Sequence, residues 1–262
     1  MKIIDLNEEN KHLYFVCLMD KDVELKEAAH HKEQWYGKMK DKGLCVKLAL
    51  DDNGRFGGMI QYMPIKYSFA GGKDLYFINC IYVLGKKKDG GNFRKKGMGK
   101  ALIKAAEDDA KARGAKGMSA WGVSIPAFIR ASWFKKQGYR KVYKKGIMVL
   151  LWKPFTNDAE PPVWEVKDKD PQLELIPGKV TVTSFINGGC PAMNMVHDRA
   201  MKVSSEFGDK VVFKEISTFD KDTMIRYGSV DELFINNTKV KVGPPPSSKK
   251  IRRKIARKVR KL

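Results

Sequence analysis

The stretch that most constrains this chain is Arg94-Lys95-Lys96-Gly97-Met98-Gly99-Lys100, set between a run of β-formers and a helical pattern that ends at Gly114. Glycines at such a junction let the backbone approach an anion closely, and the unpaired N–H groups of the first helical turn point at it. A pyrophosphate fits that description. Lys86, Lys87, Lys88, Arg94, Lys95, Lys96 and Lys100 surround the junction with positive charge.

The periodicity on either side predicts an α/β chain. Residues 1–6 read as a strand, and 23–42 as a helical region carrying Leu25, Ala28, Ala29, Trp35 and Met39 and closed by Gly43. Residues 45–50, 57–64 and 75–83 are rich in β-formers and separated by turn clusters at 51–54 and 70–73, which suggests a three-stranded meander. A polar insert at 85–92 precedes a helix over 98–113. A short strand over 117–122, a helix over 126–137 ended by Gly138, and two closing strands within 139–153 follow. The order β-α-β-β-β-α-β-α-β-β predicts a mixed sheet with flanking helices rather than a doubly wound one, with a ligand at the crossover after the meander.

Arg94, Gly97 and Gly99 match the Gln/Arg-x-x-Gly-x-Gly/Ala motif of the GNAT acetyltransferases, and the run Lys135-Lys136-Gln137-Gly138-Tyr139 stands where that family ends its later helix. The chain resembles this family over residues 1–153. The resemblance implies acetyl-CoA as cosubstrate, with Arg94, Lys95, Lys96, Gly97, Met98, Gly99 and Lys100 around its pyrophosphate. It also implies that the strands over 76–83 and 117–122 splay, so that Ile81, Tyr82 and Val83 line the pantetheine arm.

Acetyl transfer needs a neutral amine, a partner for the thioester oxygen and a proton for the departing thiolate. The family often places a tyrosine four residues before the glycine that ends the later helix. That position is Phe134, which cannot donate, and Ala127 replaces the usual Asn at the start of that helix. Tyr82, Tyr139 and Cys190 are the remaining weak candidates, and no catalytic residue is assigned. Asn79 and Cys80 lie on the same strand without a carboxylate, and Asp74 stands at its start. His30, His31, Trp35 and Tyr36 lie in the helical region from which such a fold selects substrate. Adjacent histidines on a helix point about 100° apart, so His30 and His31 do not chelate one ion together, and no metal site is expected.

Five prolines between 154 and 178 mark a linker or wrapping segment. Beyond it, a strand over 179–186, a turn at 187–189, a helix over 191–207, a strand over 211–216, a short helix over 221–226 and a hairpin over 232–242 predict a smaller α/β domain at 179–248. This order, with Cys190-Pro191-Ala192-Met193 at the helix start, resembles a thioredoxin-like fold, and the whole chain is similar to YoaP-type acetyltransferases. Met193 stands in place of a second redox cysteine, so dithiol chemistry is not expected.

Of the formal net charge of +21, nine positive charges fall in residues 249–262, which contain no acid. Ile251, Ile255, Val259 and Leu262 share one helical face of this tail, which suits docking on the protein itself, on RNA or on an acidic surface. No run of eighteen apolar residues and no CxxC pair occurs, so a soluble cytoplasmic chain with free thiols is expected. The sequence thus points to an N-acetyltransferase acting on a primary amine of a small molecule or peptide. The alternative is a non-catalytic CoA-binding regulatory module with a basic nucleic-acid- or partner-binding surface.

Overall fold

The computed structural model describes every residue except 87–90, 127–128 and 168–170. Lys87, Lys88 and Ala127 therefore lie outside the described residues, as does the Lys86 side chain. The chain runs through β1 (Lys2–Asp5), α1 (Lys11–Phe15), α2 (Val23–Glu27), α3 (Ala29–Met39), β2 (Cys45–Leu50), β3 (Phe56–Pro64), β4 (Ala70–Gly71), β5 (Leu75–Val83), β6 (Gly85–Lys86) and β7 (Gly91–Asn92). It continues with α4 (Met98–Ala112), β8 (Gly117–Val123), α5 (Ala131–Lys136), β9 (Arg140–Lys145), β10 (Met148–Pro154) and β11 (Val163–Trp164). Then come β12 (Val180–Ile186), α6 (Pro191–Ser205), β13 (Val211–Ser217), α7 (Lys221–Tyr227), β14 (Glu232–Ile235), β15 (Thr238–Val240) and α8 (Ser248–Val259).

Two compact units result: Met1–Asp22 with Tyr36–Glu165, and Val23–Trp35 with Val166–Leu262. The division differs from the linear boundaries 1–153, 154–178, 179–248 and 249–262. Residues 23–35 are grouped with the C-terminal unit, β11 from the proline-rich stretch pairs with β4, and α8 joins the C-terminal core.

In the first unit a seven-stranded sheet has the order β1-β2-β3-β5-β8-β10-β9. Only β5 and β8 pair in parallel, and a parallel pair needs a crossover, which α4 supplies. Leu102, Ile103, Ala106 and Ala110 of α4 are buried. Gly57 and Gly58 on β3 allow close packing beneath it, because a Cβ at Gly57 would stand 2.5 Å from the Phe93 ring and one at Gly58 2.9 Å from Leu102. Farther along α4, Glu107 takes Lys153 Nζ at 2.7 Å, and Asp109 accepts from the Tyr62 hydroxyl at 2.7 Å and from Arg113 Nε at 2.8 Å. These polar ties fix the far end of the helix on the sheet.

One expected element differs and one short helix is added. Within the helix expected over 126–137, α5 begins only at Ala131, and ahead of it Val123 N–H donates to Ile129 O at 2.8 Å, tying that backbone to the end of β8. The approach is close, for a Cβ at Gly122 would stand 2.8 Å from the Ala131 nitrogen. The five-residue α1 is too short to show a helical period. It is set up by reciprocal bonds in which the Asn7 and Asn10 backbone N–H groups each donate to the other's side chain.

In the second unit the sheet order is β13-β12-β14-β15, with β12 and β13 parallel and the remaining pairs antiparallel. The turn before α6 packs closely on Trp35, since a Cβ at Gly188 or Gly189 would each stand 3.1 Å from that side chain. Glu24 of α2 and Arg199 of α6 form a bidentate pair. Among the described residues, no helix is long and apolar enough to cross a membrane.

Candidate active site

The β5–β8 ladder runs from Leu75 opposite Gly117 to Ile78 opposite Ala120 and stops there, although β5 continues to Val83 and β8 to Val123. At the same place β5 slips against β3: Gln61 faces Cys80 and Tyr62 faces Ile78, which leaves Asn79 as the extra residue of a bulge. A bulge bends its strand and increases the local twist, so Asn79 accounts for the parting of the two strands. Trp121 Nε1 donates to Asn79 O at 2.9 Å and Arg94 Nε to Val83 O at 3.4 Å. With those carbonyls turned away from β3, strand alternation turns the Ile81 N–H and C=O into the gap between them.

At the end of this gap α4 begins. Gly97 is its N-cap residue at φ +80°, and no side chain caps the helix. The first intrahelical bond runs from Ala101 N–H to Gly97 O, leaving the N–H groups of Met98, Gly99 and Lys100 directed out of the helix end. Lys95 also has positive φ, at +62°. Gly99 lies beside Val83 and Trp133, since a Cβ there would stand 3.2 Å from the indole and 3.8 Å from Val83 Cγ2.

Arg94, Lys95, Lys96 and Lys100 are exposed around the helix end, whereas the Met98 side chain is buried and can offer only its backbone. The Arg94 side chain lies across Gly85, where a Cβ would meet Nε at 2.1 Å. Sequence reasoning missed Trp121 and Trp133, because an isolated tryptophan shows no period. It also missed the Asn79 bulge, which exists only in the register with β3.

The candidates for proton transfer separate by burial. Phe134 is fully buried, against Trp133 and Tyr139 at ring distances of 5.1 and 5.4 Å. Tyr139 is 2% exposed, and its hydroxyl is enclosed beside Glu107. Burial, then the nearby Glu107 carboxylate, pushes its pKa well above the ordinary phenol value. An enclosed hydroxyl cannot serve a substrate, so Tyr139→Phe should leave turnover within about twofold in an assay of CoA thiol release.

Tyr82 is half-buried on the part of β5 that has parted from β8, with its hydroxyl 3.9 Å from Met19 Sδ. Cys190 belongs to the other unit, as N-cap residue of α6, where its carbonyl accepts from the Met193 and Asn194 N–H groups, both at 3.0 Å. Of the residues expected to select substrate, Trp35 is buried against the Gly188–Gly189 turn and Tyr36 packs on Tyr14 and Phe15. His31 bonds Asp198.

A mixed sheet whose central parallel pair parts at a bulge, with an uncapped helix end at the mouth of the gap, offers backbone groups to an extended ligand that ends in an anion. The sequence profile of the Acetyltransferase (GNAT) family matches residues 5–139, just over half of the chain, and the chain belongs to that family. No curated protein matches it in sequence. Among solved structures it is similar to a ribosomal-protein-alanine N-acetyltransferase from Brucella melitensis, at 19% identity and a TM-score of 0.45, over 59% of this chain and 100% of that one. It is also similar to a PaiA N-acetyltransferase from Thermoplasma acidophilum solved with coenzyme A, at 16% identity and a TM-score of 0.43, over the same shares. Acetyl-CoA is the family's cosubstrate.

Proposed function

We propose that this chain transfers the acetyl group of acetyl-CoA to a primary amine of a small molecule or peptide. The observation that carries the reading is the junction of the two features above: the β5–β8 ladder ends at Ile78, and the gap leads to the uncapped start of α4. Acetyl-CoA supplies an electrophilic thioester and a thiolate leaving group. Around it, the N–H groups of Met98, Gly99 and Lys100 would hold the pyrophosphate, with Arg94, Lys95 and Lys96 supplying charge. The backbone of Ile81, with Val83 beside it, would bond the pantetheine arm. These groups fit a phosphorylated, amide-bearing chain, because the donors point outward and no side chain among the described residues caps the helix.

Transfer forms a C–N bond, breaks a C–S bond and moves one proton from the amine to the thiolate. Phe134 and Tyr139 are enclosed, which leaves the Tyr82 hydroxyl as the proton-handling candidate where β5 has parted from β8. Release of CoA thiol should be measured against a panel of polyamines, aminoglycosides and peptides. Tyr82→Phe should lower kcat by about 10–100-fold, within the range of general acid–base catalysis, with acetyl-CoA affinity unchanged. An unchanged kcat would remove Tyr82 from the chemistry and leave the proton to solvent.

The apolar Phe134 favours a second reading, a CoA-binding regulatory module that does not turn over. It predicts acetyl-CoA binding with no thiol release on any amine. On either reading the C-terminal unit is taken as thioredoxin-like and of YoaP type, on the strength of its β-α-β-α-β-β-α order. The exposed Lys249, Arg253 and Arg257 of α8 offer RNA or an acidic partner a basic face.

A further inference from the structure

The second unit gathers a set of donors that no part of the acetyl-transfer site uses. His31 of α3 meets Asp198 of α6 with Nε2 to Oδ1 at 2.8 Å, across 167 residues of sequence. His197 stands edge-on to His31, ring centroids 5.2 Å apart at 84°. A donor atom from each of His31, His197 and Asp198 lies within 4.8 Å of the other two, the one such cluster found among the described residues.

The His197 ring is 2% exposed and oriented on both sides: Nδ1 faces Ser184 Oγ at 2.9 Å and Nε2 faces Glu215 Oε2 at 3.1 Å. His31 and Asp198 are 17% and 25% exposed at their side chains, so an ion could reach them from solvent. His30 takes no part, as its Nδ1 is turned to Glu27 O at 2.9 Å.

We infer that His31, His197 and Asp198 form a binding site for a divalent transition metal of the zinc class, with Glu215 as a fourth, carboxylate ligand. Two imidazoles and carboxylate oxygens suit such an ion, which holds nitrogen and oxygen donors at about 2.0–2.2 Å in a tetrahedron. Donors of that tetrahedron stand about 3.4 Å apart, so His31, His197 and Asp198, within 4.8 Å of one another, have to close by little more than an ångström at most. In the metal-free cluster a hydrogen bond joins His31 Nε2 and Asp198; the ion takes that place, and a proton on Nε2 passes to Nδ1 or to solvent. Ser184 occupies Nδ1 of His197 and thereby presents Nε2 as the ligand, the outer contact that metal-bound histidines generally carry. Because α3 and α6 each contribute, occupancy would also join residues 23–35 to the body of their unit.

The test uses the full chain, stripped with chelator, and Zn²⁺ as the probe. Titration calorimetry should give one Zn²⁺ per chain at micromolar affinity or tighter, and Zn²⁺ should raise the melting temperature. His31→Gln and Asp198→Asn should each weaken binding at least 100-fold and abolish that rise, while Cys190→Ser should leave both intact. Both ligand variants change partly exposed side chains, and their circular dichroism without metal checks that they fold. Ser184→Ala, which removes only the outer contact, should weaken binding about 10-fold. Absence of saturable binding overturns the inference. So does binding that persists in both ligand variants or vanishes with Cys190→Ser, since the ion would then sit elsewhere.

Discussion

Gly97→Val should lower acetyl-CoA affinity at least 100-fold in a calorimetric titration, while Gly146→Val leaves it unchanged. Gly97 sits at φ +80°, in the left-handed region that a β-branched residue enters only at a cost of about 1–3 kcal/mol. If valine instead restores a negative φ, the turn unwinds and the N–H groups of Met98, Gly99 and Lys100 lose their common direction. If it keeps the turn, its side chain stands in open space at the helix mouth, since a Cβ there meets no protein atom within 4 Å. Either way the anion loses its donors or its room.

The Gly146 control separates strain from the site. It also has positive φ, at +55°, is exposed in the β9–β10 turn and is equally free of neighbours. A fall in affinity for both variants would attribute the effect to general destabilisation. Unchanged affinity in Gly97→Val would remove the α4 start as the phosphate site while leaving the family membership untouched.

Legibility in the sequence followed the range of each interaction. The α4 junction was readable because its signals are local: a glycine at a left-handed N-cap, a second glycine two residues on, and a helical stripe of Leu102, Ile103 and Ala106. The strands β2 and β5 were readable to the residue, because runs such as Leu75 to Val83 declare their own conformation. The parting of β5 from β8 was accessible only through the family resemblance. Its physical cause, the Asn79 bulge, depends on which residues of β3 lie opposite.

The grouping of residues 23–35 with the C-terminal unit was illegible for the same reason. Leu25 and Trp35 announce a buried face but not its partner, and His31 gave no sign that its partner lay 167 residues away. Burial likewise separates Tyr82 from Tyr139, both only weak candidates in sequence. Tyr139 follows the helix end, and its 5.4 Å contact with Phe134 holds it in the core.

Ile255→Asp should destabilise the C-terminal unit by about 4 kcal/mol or more, lowering its melting temperature by about 15 °C or more, whereas Arg253→Glu should change it by less than about 0.5 kcal/mol. The tail has a residue pattern that would serve equally for lying on a membrane or for docking. Its apolar face is already committed: Ile251 and Ile255 are fully buried in one cluster with Val180, Val182, Val196, Leu233 and Ile235, and Val259 packs at its edge. Removing a buried isoleucine costs about 2–5 kcal/mol, and placing a carboxylate among those valines adds a charge with no partner.

The helix has little other support. Its first turn holds Lys249 and Lys250 at the end where the helix dipole disfavours cations, offset by the Ser247 cap on the Lys250 N–H and by the Arg252–Glu206 pair. Packing of the two isoleucines is therefore what keeps α8 helical, and far-UV circular dichroism should show loss of helix beyond α8 itself when Ile255 is replaced. Retention of the unit's stability would mean that α8 is undocked and its apolar face available to a membrane. Loss of stability with Ile255→Asp, and none with Arg253→Glu, would leave the basic face alone for any polyanion the chain meets.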